Sequence, residues 1–187
     1  MGKSTTANFF AEAGIPVYSA DTAVHELYRQ ADVIAQIGSL FPQAIENGSV
    51  NRQKLAAAIL DRPEAIKQLE AIVHPLVRMA EKNFVDKARK AGHRLVVLDV
   101  PLLYETGGDQ RVDKVVVVSA PVEIQRERVL KRADMTGEKF ATLLARQMKD
   151  EEKRSRADFV IDTGKGLDVA REAVNSILQT LLEQKDG

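Results

Sequence analysis

Apolar positions set out most of the elements before any chemistry is considered. Ala7, Phe9, Phe10 and Ala13 give a short helix over Thr5–Glu12 one mostly apolar face; Gly14 ends it and Pro16 forbids its continuation. Val17-Tyr18-Ser19 reads as a brief strand, and Asp21, an ordinary N-cap residue, opens a second helix through Arg29. Residues 31 to 92 carry no strand signal. Asn51 can cap a helix over Arg52–Leu60, Pro63 suits a first turn, and Leu69–Lys90 forms one long segment. A proline inside a helix costs about 3 kcal/mol or more, so His74-Pro75 predicts a kink or break at His74. Leu95–Asp99 is a continuous apolar run closed by a carboxylate and reads as the clearest buried strand. Val112–Ser119 and Phe159–Ile161 are further strands. Ala170, Ala173, Val174, Ile177, Leu178, Leu181 and Leu182 recur at helical spacing in an amphipathic C-terminal helix. Strands alternating with helices predict an α/β fold with a parallel sheet flanked by helices, interrupted by a helical insertion over residues 31–92.

Composition narrows the classes. A chain of 187 residues supports one domain with an inserted subdomain. No apolar stretch approaches the ~18 residues of a membrane span, so no membrane partner is expected. The absence of cysteine removes thiolate metal sites and fits a cytoplasmic, reducing location. With 27 basic and 27 acidic residues the net charge is zero, which argues against nucleic acid as a partner.

The chemistry gathers at few places. Gly2-Lys3-Ser4-Thr5 matches the second half of a phosphate-binding loop, in which the lysine reaches phosphates and the hydroxyl ligates Mg²⁺; an N-terminal helix start with a hydroxyl cap explains these residues equally well. Asp99 ends a strand, where ligands collect in open parallel sheets, and suits a magnesium-orienting carboxylate. Pro101–Glu105 runs into Gly107-Gly108 as a mobile loop. Between residues 121 and 156, with a break at Asp134–Gly137, basic residues outnumber acidic ones, which reads either as an anion-facing element or as a solvated face of ion pairs. Together these parts fit a phosphoryl-transfer kinase, in which positioning and positive charge stabilise the transition state.

The chain resembles the dephospho-coenzyme A kinase family. The stretches that carry the resemblance are Gly2–Thr5, Ala20-Asp21, Leu69–Arg78 with its His-Pro, Asp99–Glu105, Arg146-Gln147 and Ala157–Asp162, in family order over nearly the whole chain. The resemblance implies a P-loop kinase core (residues 1–30 and 93–187), a helical substrate-binding domain (31–92) and a helical lid over about 132–156. It implies transfer of the γ-phosphoryl of ATP, with Mg²⁺, to the ribose 3′-hydroxyl of dephospho-coenzyme A, the last step of coenzyme A synthesis, by a monomer or weak homo-oligomer. Carried over by position, Asp21 is the base, with Lys3 and Arg146 acting on the phosphates; Gly2, Lys3, Ser4, Thr5, Arg132, Gly164 and Lys165 hold the nucleotide. His74, Arg78, Pro101, Leu102, Leu103, Tyr104 and Glu105 line the acceptor site beside Asp21, and Ser4 and Asp99 serve the metal. Two positions depart from the family: Ser19 where Asp is common, and Thr163 where Asn follows Asp. A methionine commonly precedes Gly-Lys-Ser in the family, so Met1 is expected to be an internal residue, with about ten more residues (one strand and the front of the loop) before it in the natural protein. The rivals are another small nucleoside or nucleotide kinase and a non-catalytic coenzyme-binding protein.

Overall fold

The computed structural model describes residues 2–131, 136–137, 140, 144 and 147–183. Along the chain come α1 (Lys3–Glu12), β1 (Val17–Ser19), α2 (Ala20–Leu27), α3 (Ala31–Leu40), β2 (Ile45–Glu46), β3 (Ser49–Val50), α4 (Arg52–Ile59) and α5 (Pro63–Lys90). Then follow β4 (Val97–Asp99), β5 (Val116–Ser119), α6 (Val122–Leu130), α7 (Asp150–Arg156), β6 (Phe159–Asp162) and α8 (Leu167–Glu183). The chain divides into two compact units, residues 1–17 with 99–187 and residues 18–98.

In the first unit β5 and β6 are parallel, with Val116 opposite Phe159 and Ser119 opposite Asp162. The α/β class expected from the alternating pattern is therefore present. The stripe on α8 buries Ala170, Val174, Ile177 and Leu178, and the helix packs on α1 and β6. Phe9, Phe10 and Ile161 are buried in this unit. Arg171 of α8 lies over the Phe9 ring, 4.2 Å from its centroid, and bonds Glu12 at 2.5 Å.

The second unit is mostly helical around one apolar cluster that includes Leu27, Val33, Ile37, Phe41, Leu55, Leu69 and Val73. Three expectations are corrected here. The segment 31–92 does contain strands: β2 and β3 pair antiparallel, Ile45 with Val50 and Glu46 with Ser49. They are joined by Asn47-Gly48, both at positive φ (50 and 71), the dipeptide that a tight hairpin turn favours. Secondly, of the kink or break expected at His74, the break does not occur: α5 runs unbroken from Pro63 to Lys90 through Pro75. Ala71 and Pro75 both face solvent, so the carbonyl that loses its N–H partner meets water. Leu69, Ile72, Val73, Leu76 and Val77 hold the helix to the core on the other side. Thirdly, the cap of α2 is Ser19, whose hydroxyl accepts from the Thr22 N–H at 3.3 Å; Asp21 stands in the first turn. Ser and Asp cap comparably, and the chain enters the helix earlier than the position of Asp21 suggests. The strand expected over Leu95–Asp99 is shorter, beside β1, and only half-buried.

Candidate active site

The N-terminus of α1 carries no side-chain cap. Gly2 sits ahead of it in a left-handed conformation (φ 85, ψ 13), no side chain caps the helix, and its first turn has no carboxylate. Only the Thr6 N–H is closed onto Gly2 O, at 2.9 Å, leaving the preceding first-turn N–H groups in the usual uncapped position. Ser4 and Thr5 are exposed there. A lysine at this end opposes the helix dipole. Lys3 is held nonetheless, by donating from Nζ to Asp99 Oδ1 at the end of β4; the lysine side chain is 35% exposed and the aspartate 9%. Two candidate phosphate and metal residues, 96 positions apart in sequence, are thus joined directly.

Glycine is required at position 2 on two counts. Its φ is strained for any L side chain, and an added Cβ would lie 3.3 Å from Thr163 Cγ2. Thr163, directly after β6, donates its hydroxyl to Ser119 O at 3.0 Å. Arg128 of α6 donates to that hydroxyl at 3.2 Å and to Thr163 O at 3.0 Å. The expected nucleotide residues Gly164 and Lys165 continue from Thr163 in a short 3-10 turn, in which Gly164 N–H bonds Asp162 Oδ1 at 2.8 Å. A side chain at 164 would meet Pro121 Cδ at 2.7 Å, so this turn lies tight against the residues that follow β5.

Of the acceptor-site candidates in this unit, Pro101 and Leu102 are exposed and Leu103 is half-buried, while Tyr104 and Glu105 turn inward. Glu105 Oε1 accepts from Lys153 Nζ at 2.7 Å and from the Met148 N–H at 2.8 Å. Burial pushes the Glu105 carboxyl up, but the Lys153 ammonium and the Met148 N–H outweigh it and hold it below its ordinary value. Tyr104 is capped by the Arg156 guanidinium 4.4 Å from its centroid, and Arg156 also bonds Asp109 at 2.8 Å. The segment read as a mobile loop is thus anchored from both sides of its glycine pair. The basic run divides likewise: Arg128, Lys131, Lys153 and Arg156 each have a protein partner. Arg132 and Arg146, expected to reach the phosphates, lie outside the described residues, as does Asp134 at the expected break.

In the second unit Asp21 is exposed on the first turn of α2. His74 and Arg78, one turn apart on the solvent face of α5, line a hollow with Lys67 and Glu70. Sequence reasoning counted Arg128 only within the basic run and missed Ser119 and Asp150, whose carboxylate takes the Ser119 hydroxyl at 2.6 Å. Their pairings are non-local, Ser119 with Asp150 across 31 positions and Arg128 with Thr163 across 35, and no local pattern signals them.

Among the described residues no group of three or more His, Cys, Asp or Glu forms a metal cage, and no helix is long and apolar enough to cross a membrane. One hydroxyl and one carboxylate beside phosphates are what Mg²⁺ uses, in preference to an all-protein cage. Residues 1–168 match the family model described as Dephospho-CoA kinase. The chain is 54% identical over 183 residues to a Dephospho-CoA kinase of Bartonella henselae, covering 98% of this chain and 94% of the relative. It is 55% identical over 183 residues to one from Brucella melitensis, covering 97% and 90%. A crystal structure from Thermus thermophilus superposes with a TM-score of 0.82 at 32% identity, covering 96% of this chain and 92% of that one.

Proposed function

The chain belongs to the dephospho-CoA kinase family, and from that membership we propose how its residues divide the labour. The activity is ATP-dependent phosphorylation of dephospho-CoA in coenzyme A biosynthesis. In our reading the accepting group is the ribose 3′-hydroxyl, the step is the last of that synthesis, and the protein works in the cytoplasm. The observation that carries the assignment of roles is the Lys3–Asp99 pair at the uncapped N-terminus of α1. Lys3 and the first-turn N–H groups receive the phosphates, where positive charge stabilises the transferring group. Ser4 and Asp99 would hold Mg²⁺, which neutralises phosphate charge when bound. Gly2, Thr5, Gly164 and Lys165 line the nucleotide, with Arg132 and Arg146 as further phosphate contacts.

Asp21 is the base for the hydroxyl proton, a role supported by its exposed place on the first turn of α2. The unit of residues 18–98, with His74 and Arg78, binds the acceptor, joined by Pro101–Leu103, while Tyr104 and Glu105 anchor that segment. The test compares dephospho-CoA with nucleoside monophosphates as acceptors, in the wild type and in Asp21→Asn. Preference for dephospho-CoA and a loss of about 10²–10⁴ in kcat for the variant are expected. Preference for monophosphates sinks the acceptor assignment, and a wild-type rate in Asp21→Asn sinks the base.

A further inference from the structure

The second unit has a second hollow, unlike the one on α5, that lies one helical turn from Asp21. His25 follows Asp21 by four residues on α2, about 6 Å of rise along the same face, and Arg29 comes four residues later just beyond the helix. His25, Tyr28 and Arg29 form one wall; Ser49, Arg52 and Gln53, at the end of β3 and the start of α4, form the other. The two walls are tied together by the Val50 N–H, which donates to Tyr28 O at 3.2 Å.

The charge in this hollow is one-sided. Arg29, Arg52 and His25 are all exposed, and among the described residues none of them is engaged by a carboxylate. Glu46, on the strand beside the second wall, is already satisfied by Lys54 at 2.7 Å and Asn51 at 2.5 Å. Glu26 follows His25 on α2 and is exposed. The α4 terminus is not the attraction, because Asn51 Oδ1 already accepts from Gln53 N–H and Lys54 N–H at 3.0 and 3.1 Å. Burial raises the Tyr28 phenol while the Arg52 charge pulls it down, which puts the guanidinium within electrostatic reach of the hollow's floor.

Two arginines lining one concavity, with no carboxylate partner among the described residues, offer a fork for phosphate oxygens. We infer that this hollow is the subsite for the 5′-diphosphate of the acceptor, with Arg29 and Arg52 on its phosphoryl groups and His25 beside them. The inference rests on the reading of Asp21 as the base. Dephospho-CoA carries its reacting hydroxyl and its diphosphate on one ribose, so a protein that holds both needs a carboxylate and cations within a nucleotide's length. From Asp21 to His25 the helix rises about 6 Å, and Arg29 follows directly after its C-cap Tyr28.

The experiment uses Arg29→Ala, Arg52→Ala, the double variant and Arg52→Lys in the full chain. Each alanine is expected to raise the KM for dephospho-CoA about 10-fold and the pair about 100-fold, with kcat and the KM for ATP within about twofold of wild type. Arg52→Lys is expected to recover part of the loss. At saturating ATP, inorganic pyrophosphate is expected to compete with dephospho-CoA in the wild type and not in the double variant. An unchanged KM in a double variant with native circular dichroism, or a loss confined to kcat, overturns the subsite. Calorimetric titration of dephospho-CoA reads the same contacts without turnover. Binding that depends on the arginines in a chain that transfers no phosphate would refute the catalytic reading and leave the subsite standing.

Discussion

Removing Glu105 separates an anchoring role from a substrate-binding one. The carboxylate meets Lys153 at 2.7 Å and the Met148 N–H at 2.8 Å, and the two ion-paired side chains are only 10% (Lys153) and 16% (Glu105) exposed. Glu105→Ala strands an ammonium in this setting and leaves the N–H without an acceptor. Breaking one side of a buried pair costs about 3–5 kcal/mol, against at most about 1 kcal/mol for a surface pair. In a chain of this size each kcal/mol moves Tm by about 2–4 °C, so the single variant is expected to melt roughly 6–20 °C lower. Glu105→Gln with Lys153→Met keeps an acceptor for Met148 and removes both charges. It is expected to return most of that stability, a positive coupling in the double-mutant cycle. Thermal unfolding followed by circular dichroism of the wild type, Glu105→Gln, Lys153→Met and the double variant supplies all four corners of that cycle, with Glu105→Ala measured beside them. The refolded double variant is then assayed, and its KM for dephospho-CoA is expected to stay within about twofold of wild type. A single variant that loses under about 1 kcal/mol, or a double variant as unstable as the single, refutes the buried-pair reasoning. A stable double variant with a much higher KM would return Glu105 to the acceptor site.

Lys3→Ala is expected to lower kcat by about 10²–10³ with the fold intact, and a wild-type kcat would remove Lys3 from the phosphates. Gly2→Ala forces a Cβ into a left-handed residue 3.3 Å from Thr163 Cγ2. It is expected to cost about 1–2 kcal/mol in denaturant unfolding, and an unchanged midpoint would show that α1 re-enters differently. Acid should act through carboxylates held below their ordinary values. Asp158 is lowered by the Val115 N–H and the Lys114 ammonium, and in Glu105 the Lys153 and Met148 bonds outweigh burial. Their contribution is complete above the ordinary values of 3.8 and 4.5 and is lost as pH falls through the lower folded ones. Denaturation midpoints measured on descending pH should therefore drop below pH 4.5, less steeply in the double variant just described. A drop that begins near neutrality would point to other groups.

What could be read from the sequence was local or periodic. The apolar stripe of α8, the Phe9-Phe10 face of α1 and the valine run of β5 announce themselves, because a face that must be buried repeats at the period of its element. The break expected at Pro75 did not occur because the cost of a proline depends on which way the freed carbonyl points, and Ala71 faces water. The β2–β3 hairpin escaped because its strands are two residues long, although Asn47-Gly48 is a strong turn signal. At the site, Lys3 and Asp99 were legible as residue types in plausible places. That they touch, that Glu105 turns inward to Lys153, and that Arg128 clamps Thr163 all depend on tertiary approach across tens of residues, which no periodicity encodes.

The discontinuity of the first unit has a consequence for how the chain is made. Residues 18–98 are contiguous and contain every member of their buried cluster, so this unit can close as soon as it leaves the ribosome. α1 is synthesised before it yet packs on α8, the last helix of the chain. At about 5–20 residues per second, Lys3 waits roughly 9–36 s for the helix that seats its own. The loop-closure entropy of that wait is modest, about 0.6 kcal/mol for each doubling of length, so the delay is one of timing more than of stability. During it the Phe9-Phe10 face lacks its permanent cover, which makes nascent chains released before Leu167 the ones most in need of a chaperone.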